Sequence, residues 1–195
     1  MSSPLLYVCF LENDDELMQH HWLNRAAARL APTSVENPKI HVELFFPSAN
    51  ASSTSDVVSG RACSIYYNGR VFLTKKKFSR KQWSFRTLNV NKQQYDEILS
   101  FCHAHVGEGF NHLSYFTYPM KCSDKYSFSP YTLESVGLKP RWFCSEICVE
   151  ALKAGGVLDD WVHPSMHPQQ LFTLLETSTT PDCVRNYDDM KLSFA

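Results

Sequence analysis

The chain has no excess of charge of either sign. Across its 195 residues, 19 Lys and Arg face 20 Asp and Glu, a formal net charge of −1. A protein that lives on nucleic acid carries a basic surplus, so the balance argues against general DNA binding. No apolar run approaches the roughly 20 residues that cross a bilayer. The first residues lack a basic region, and their apolar run stops at Leu11 before an acidic stretch, which predicts neither signal peptide nor membrane anchor. CxxC pairs are missing as well. The seven cysteines, at 9, 63, 102, 122, 144, 148 and 183, are odd in number and irregular in spacing. That pattern predicts free thiols in a reducing, cytoplasmic compartment. Cys102, His103, His105, His112 and Cys122 crowd together without zinc-finger spacing. With no P-loop, GxGxxG or GxSxG either, no metal or cofactor is expected, and nucleotide-binding and serine-hydrolase chemistry have no support.

The residues that are present read as an α+β protein. Apolar residues make up 44 % and aromatics 13 %, enough for a packed core that needs no disulfide or metal. Strands are predicted over 5–10 and 40–46, the second ended by Pro47, and a surface loop over 47–60. Asn68-Gly69 between the β-rich runs 62–67 and 70–74 predicts a hairpin. Period-two alternation predicts another strand over 83–90. Helices are expected over 15–30, over 92–106 behind Asn91 as cap, over 143–154 before Gly155-Gly156, and from Pro168 to about 176. The sum is one domain, a central antiparallel sheet packed against helices. Its core is expected over about 38–175, with 1–37 as an N-terminal strand and helix extension and 177–195 as a tail.

The run Arg141-Trp-Phe-Cys144-Ser-Glu146-Ile-Cys148 is the most informative. Pro140 favours a helix start shortly after it, and Ile147, Cys148, Ala151 and Leu152 then form one buried stripe. Cys144 falls in the first turn, where unpaired backbone N–H groups and the helix dipole favour an anion. The same N–H groups are suited to hold a developing oxyanion. A nucleophilic thiol needs a general base, and His41 stands at the start of the apolar strand Ile40-His-Val-Glu-Leu-Phe-Phe46. A buried, inert Cys144 and a histidine satisfied by a local carbonyl are the plainer alternatives.

A strand opening with His, then hairpin strands, then Phe143-Cys144-Ser-Glu146-Ile147 opening a helix resembles the circularly permuted papain-like superfamily. Permuted NlpC-type hydrolases, YiiX-like proteins and lecithin:retinol acyltransferase relatives belong to it. The resemblance spans about residues 38–175, and Gly155-Gly156 and Pro168-Gln-Gln-Leu171 fit its layout. It implies a thiol hydrolase or acyltransferase acting on an amide, ester or thioester of a peptide or lipid substrate, with Cys144 as nucleophile and His41 as base. The family orients its imidazole with a third polar residue on the next strand. Here the segment 62–67 offers only Ser64 or Tyr66. Glu43 is the substitute, although i, i+2 side chains on a strand stand about 7 Å apart. The aromatic stretch 110–131 is expected to wall the substrate groove.

A second reading belongs to a different class. Residues 75–86 hold six basic residues and three aromatics with no acid. As an exposed basic-aromatic hairpin this stretch would serve a non-catalytic binding module of the same fold, contacting an acidic or phosphate-bearing partner. A solvated hairpin whose rings turn inward is the alternative.

Overall fold

A computed structural model describes residues 4–12, 34–48, 55–67, 69–111 and 140–177. Its elements run β1 (Leu5–Glu12), β2 (Lys39–Pro47), β3 (Val57–Ser64), β4 (Phe72–Ser79), β5 (Ser84–Asn89), α1 (Lys92–Ala104), β6 (Gly109–Phe110), β7 (Arg141–Trp142), α2 (Cys144–Ala154) and α3 (Pro168–Thr177). The first five strands form one antiparallel sheet in the order β4-β3-β2-β1-β5. The α+β architecture is therefore as expected. The predicted helix over 15–30 and the tail 177–195 lie outside the described residues, apart from the end of α3 at Thr177.

Two expectations change. Residues 1–37 are not merely an extension, because β1 is the strand between β2 and β5 and is apolar on both faces, as a central strand must be. The basic run is not a hairpin of paired strands either. Residues 75–79 belong to β4, which pairs with β3 across the turn at Gly69, whose N–H donates to the Tyr66 carbonyl at 2.9 Å. β3 also begins at Val57, inside the segment read as a loop, because Val58 and Phe78 pair on the inner face.

The connection from β4 to β5 decides the shape of the sheet. These strands are its opposite edges, which a flat five-stranded sheet would hold about 19 Å apart. Residues 80–83 nevertheless join them in a tight turn, with the N–H groups of Gln82 and Trp83 donating to the Ser79 carbonyl. Such a turn keeps its ends within about 7 Å. The sheet must therefore curl until the end of β4 comes beside the start of β5. Its concave face buries Tyr7, Cys9, Leu11, Phe45, Val58, Ala62, Phe78 and Trp83 as one cluster. Phe78 meets Trp83 edge-on at 4.7 Å, and Arg80 lies over the Phe85 ring at 4.8 Å, so side chains close the seam.

The convex face carries the alternate residues Leu6, Val8, Phe10, Val42, Leu44 and Cys63, and the helices cover them. α2 turns Ile147, Cys148, Ala151 and Leu152 onto the sheet, all fully buried, as their spacing predicts. α1 adds Ile98 and Cys102 beneath an Asn91–Gln94 capping box.

The two glycines that end α2 serve different ends. Gly156 has φ +62°, and the N–H groups of Gly156 and Val157 return to Lys153 and Leu152, a Schellman stop. Gly155 has ordinary φ but touches α1: a Cβ there would lie 2.4 Å from Ile98 Cγ1 and 2.9 Å from the Gln94 carbonyl oxygen. Gly155→Ala is therefore expected to destabilise the protein by about 1–3 kcal/mol in urea denaturation, through overpacking against α1. Ile98→Ala placed on that background should relieve part of the clash, and a simple sum of the two losses would contradict this packing account.

Candidate active site

β2 brings two ionisable side chains to the concave face, His41 and, two residues on, Glu43, because strand residues alternate between faces. The structure leaves the His41 ring only 5 % exposed and Glu43 fully buried. His41 Nε2 lies 3.1 Å from Glu43 Oε1. The 7 Å expected for i, i+2 neighbours measures strand spacing, and two long side chains leaning together close it. Ser64, the other candidate for the third polar residue, does not reach the ring: its hydroxyl donates to the Val42 carbonyl at 2.6 Å. Glu43 is thus the residue that orients His41.

Glu43 is held in turn. Its Oε1 accepts the Tyr66 hydroxyl at 2.7 Å and the Lys76 ammonium at 2.5 Å, and Lys76 also donates to the Tyr66 oxygen at 2.7 Å. The Tyr66 ring stacks on His41 with centroids 4.7 Å apart and planes 18° apart, and Trp83 meets the imidazole edge-on. Imidazole, phenol, carboxylate and ammonium form one connected group.

Cys144 arrives from the opposite side of the sheet. It is the first residue of α2, and the register of that helix is set one turn later, where the Cys148 thiol reaches the Val42 carbonyl at 3.8 Å. The Cys144 side chain is near enough to the His41 ring to raise it, through hydrogen bonding and charge. With Nε2 turned to Glu43, Nδ1 is the nitrogen left for the sulfur. Glu146 ties the helix start, its carboxylate accepting the Phe143 N–H at 2.8 Å and the Ser165 hydroxyl. Phe143 supplies no capping side chain, and the N–H groups of Cys144 and Ser145 precede the intrahelical ladder. That leaves a donor pair beside the sulfur.

Burial and hydrogen bonding set the charge states around this site. Burial opposes charge on His41, but the hydrogen bonds to Cys144 and Glu43 outweigh it and raise the ring to about 9. Burial likewise pushes Glu43 up, yet its bond to His41 and the charge of Lys76 bring the carboxyl below its ordinary value. Burial and the Glu43 charge push the Tyr66 hydroxyl up, keeping it a neutral donor. The Cys9 and Cys148 thiols are driven well up, chiefly by burial, and Cys102 by its hydrogen bond to Cys63 and by burial, so all three stay protonated and inert. Among the described cysteines only Cys144 is partly exposed.

The remaining candidates disperse. Cys102 points into the core, His105 Nδ1 bonds Glu108 at 2.8 Å, His103 faces Arg61, and His112 and Cys122 lie outside the described residues. Among the described residues no three His, Cys, Asp or Glu side chains converge on a metal position. Of the stretch 110–131 only Phe110 and Asn111 are described, and Phe110 packs edge-on against Phe143 at 5.5 Å, next to Cys144. In the basic run, Phe78 and Trp83 are buried, and Lys76, Arg80 and Arg86 lie over rings, which leaves Lys75, Lys77 and Lys81 as its exposed cations. Sequence reasoning missed Lys76. Its parity with Phe72 and Phe78 on β4 was the available signal.

Among known proteins, no family model, no curated protein and no solved structure matches this chain.

The charge state of the pair sets how stability varies with pH. Because folding raises His41, the stability gained from its charged form is complete below about 6.5 and is lost as pH rises through about 9. Because folding lowers Glu43, its contribution is present above about 4.5 and is lost as pH falls further. Urea midpoints measured from pH 4 to 10 should fall at both ends. His41→Gln should flatten the alkaline fall, and an unchanged alkaline slope in that variant would contradict the assignment.

Proposed function

We propose that this chain is a thiol hydrolase or acyltransferase with a permuted papain-like fold, acting through an acyl-enzyme on Cys144 with His41 as general base. The observation that carries the reading is the order Cys144–His41–Glu43, partly exposed cysteine to fully buried carboxylate, with the cysteine at a helix N-terminus. His41 preceding Cys144 in the chain, a curled antiparallel sheet and the nucleophile at the head of a helix are the features this reading shares with that superfamily.

In the proposed cycle the Cys144 proton passes to His41, and the sulfur attacks the acyl carbonyl of an amide, ester or thioester. The oxygen that becomes negative is met by the N–H groups of Cys144 and Ser145. As the tetrahedral species collapses, the carbon–heteroatom bond breaks, and the His41 imidazolium gives its proton to the leaving amine, alcohol or thiol. A thioester on Cys144 remains. Water, or an amine or hydroxyl acceptor, loses a proton to His41 as it attacks that thioester, and the thiol is restored. Glu43 keeps the ring in one orientation and stabilises its charged form; it exchanges no proton with the substrate. The free thiols at Cys9, Cys63, Cys102 and Cys148 suit a reducing compartment such as the cytoplasm. Among the described residues no helix is long and apolar enough to cross a membrane.

The binding-module alternative is weakened by the placement of its rings. Phe78 and Trp83 belong to the core and Phe85 is half-buried, so the fully exposed side chains a partner at 75–86 would meet are Lys75, Lys77, Lys81 and Gln82.

The test is covalent trapping. Incubation with peptide and lipid acyl electrophiles should add one acyl mass at Cys144 in the wild-type chain and none in Cys144→Ala. His41→Ala should slow labelling at pH 7 by about 100-fold or more, the usual worth of a positioned base. Equal labelling of the wild type and Cys144→Ala would remove the nucleophile, and with it the enzyme.

A further inference from the structure

We propose that Lys76 is a positioning residue of this site: held beside Glu43, it balances the charge of the cluster so that a Cys144 thiolate and a His41 imidazolium exist together. The inference rests on the nucleophile reading above and adds to it a group that touches neither substrate nor sulfur.

The placement of Lys76 is unusual for a lysine. Its neighbours in sequence, Lys75 and Lys77, point outward and are exposed, whereas Lys76 faces the concave side with its side chain only 25 % exposed. Its ammonium lies 4.9 Å from the Trp83 ring centroid, 5.1 Å from Phe78, 5.3 Å from Tyr66 and 5.8 Å from Phe72. Four ring faces and two hydrogen bonds hold the cation on Glu43. An ammonium held there by the protein keeps Glu43 ionised whether or not His41 is charged.

Counting charges gives the function. When Cys144 gives up its proton to solvent beside a charged His41, the cluster holds a thiolate, an imidazolium, the Glu43 carboxylate and the Lys76 ammonium, two charges of each sign. Without Lys76 the same state carries an unbalanced negative charge in a buried setting. The economical response is for the sulfur to keep its proton. Without Glu43 the surplus is positive and favours the thiolate.

The other groups facing the cluster do not alter this count. Cys9 faces Glu43 from β1 and Tyr66 lies against it after β3; both are neutral. Arg80 lies over Tyr7 and Phe85, Lys39 is paired with Glu12, and Arg86 with Glu176. These charges are common to every variant below.

The experiment follows the rate of Cys144 alkylation by iodoacetamide against pH, by peptide mass mapping on the full chain, in the wild type, K76M, K76R, E43Q and E43Q/K76M. The K76M profile should move up by about one pH unit, roughly a tenfold slower reaction on its acid limb. K76R should stay within about twofold of the wild type, and E43Q should move down. The double variant should return toward the wild-type midpoint, a reversal that simple loss of packing does not produce. If K76M does not fold, E43Q compared with E43Q/K76M carries the same upward step.

A reactive wild type whose K76M profile overlays it, or a double variant that stays with K76M, overturns the role of Lys76 alone. A wild-type Cys144 that alkylates no faster than an ordinary thiol overturns the nucleophile reading and this proposal together.

Discussion

A carboxylate inside a curled sheet is the constraint around which the structure is arranged. Glu43 is fully buried, and an unpaired charge there would cost several kcal/mol even after relaxation. Its Oε1 meets that demand with donors from three places in the chain: His41 on its own strand, Tyr66 after β3 and Lys76 on β4. Each partner is fixed by something else, His41 by the stacked phenol, Tyr66 by its hydrogen bond and its ring, Lys76 by its aromatic surroundings. The histidine faces the sulfur because the carboxylate holds it, and the carboxylate is tolerable because the curl gathers its donors.

The two faces of β2 divide the labour. Val42, Leu44 and Phe46 join the helix-covered core, while His41 and Glu43 look into the concavity and Phe45 anchors the aromatic cluster there. Val42 links the two sides: its carbonyl receives the Ser64 hydroxyl and the Cys148 thiol. The helix bearing the nucleophile is thereby registered on the strand bearing the base, within one residue of His41. Preorganisation of this kind lets two groups a hundred residues apart meet without a closing motion.

How much of this was legible in the sequence depended on whether the signal was local. Asn91 as cap, the stripe beginning at Ile147, the Gly155-Gly156 stop and the alternation of 83–90 are short-range patterns, and the structure follows them. Cys144 and His41 were singled out by their places on a helix and a strand, and the structure joins them. The third member was ambiguous because spacing along a strand says nothing about how side-chain tips lean. Lys76 was hidden because three consecutive lysines read as solvated charge, when strand alternation sends the middle one the other way. The curl of the sheet was not legible at all, since nothing in residues 80–83 says that the strands they join are opposite edges.

That short connection also has a bearing on how the molecule meets other chains. An open antiparallel sheet ends in two rows of unsatisfied amides and carbonyls, each a template onto which a foreign strand can add. Here the turn from Ser79 to Trp83 folds those rows toward one another, with Phe78, Arg80 and Phe85 lodged along the join. A strand seeking to extend the sheet at that corner must first part the seam, so the geometry that gathers donors around a buried acid also blunts one end of both edges.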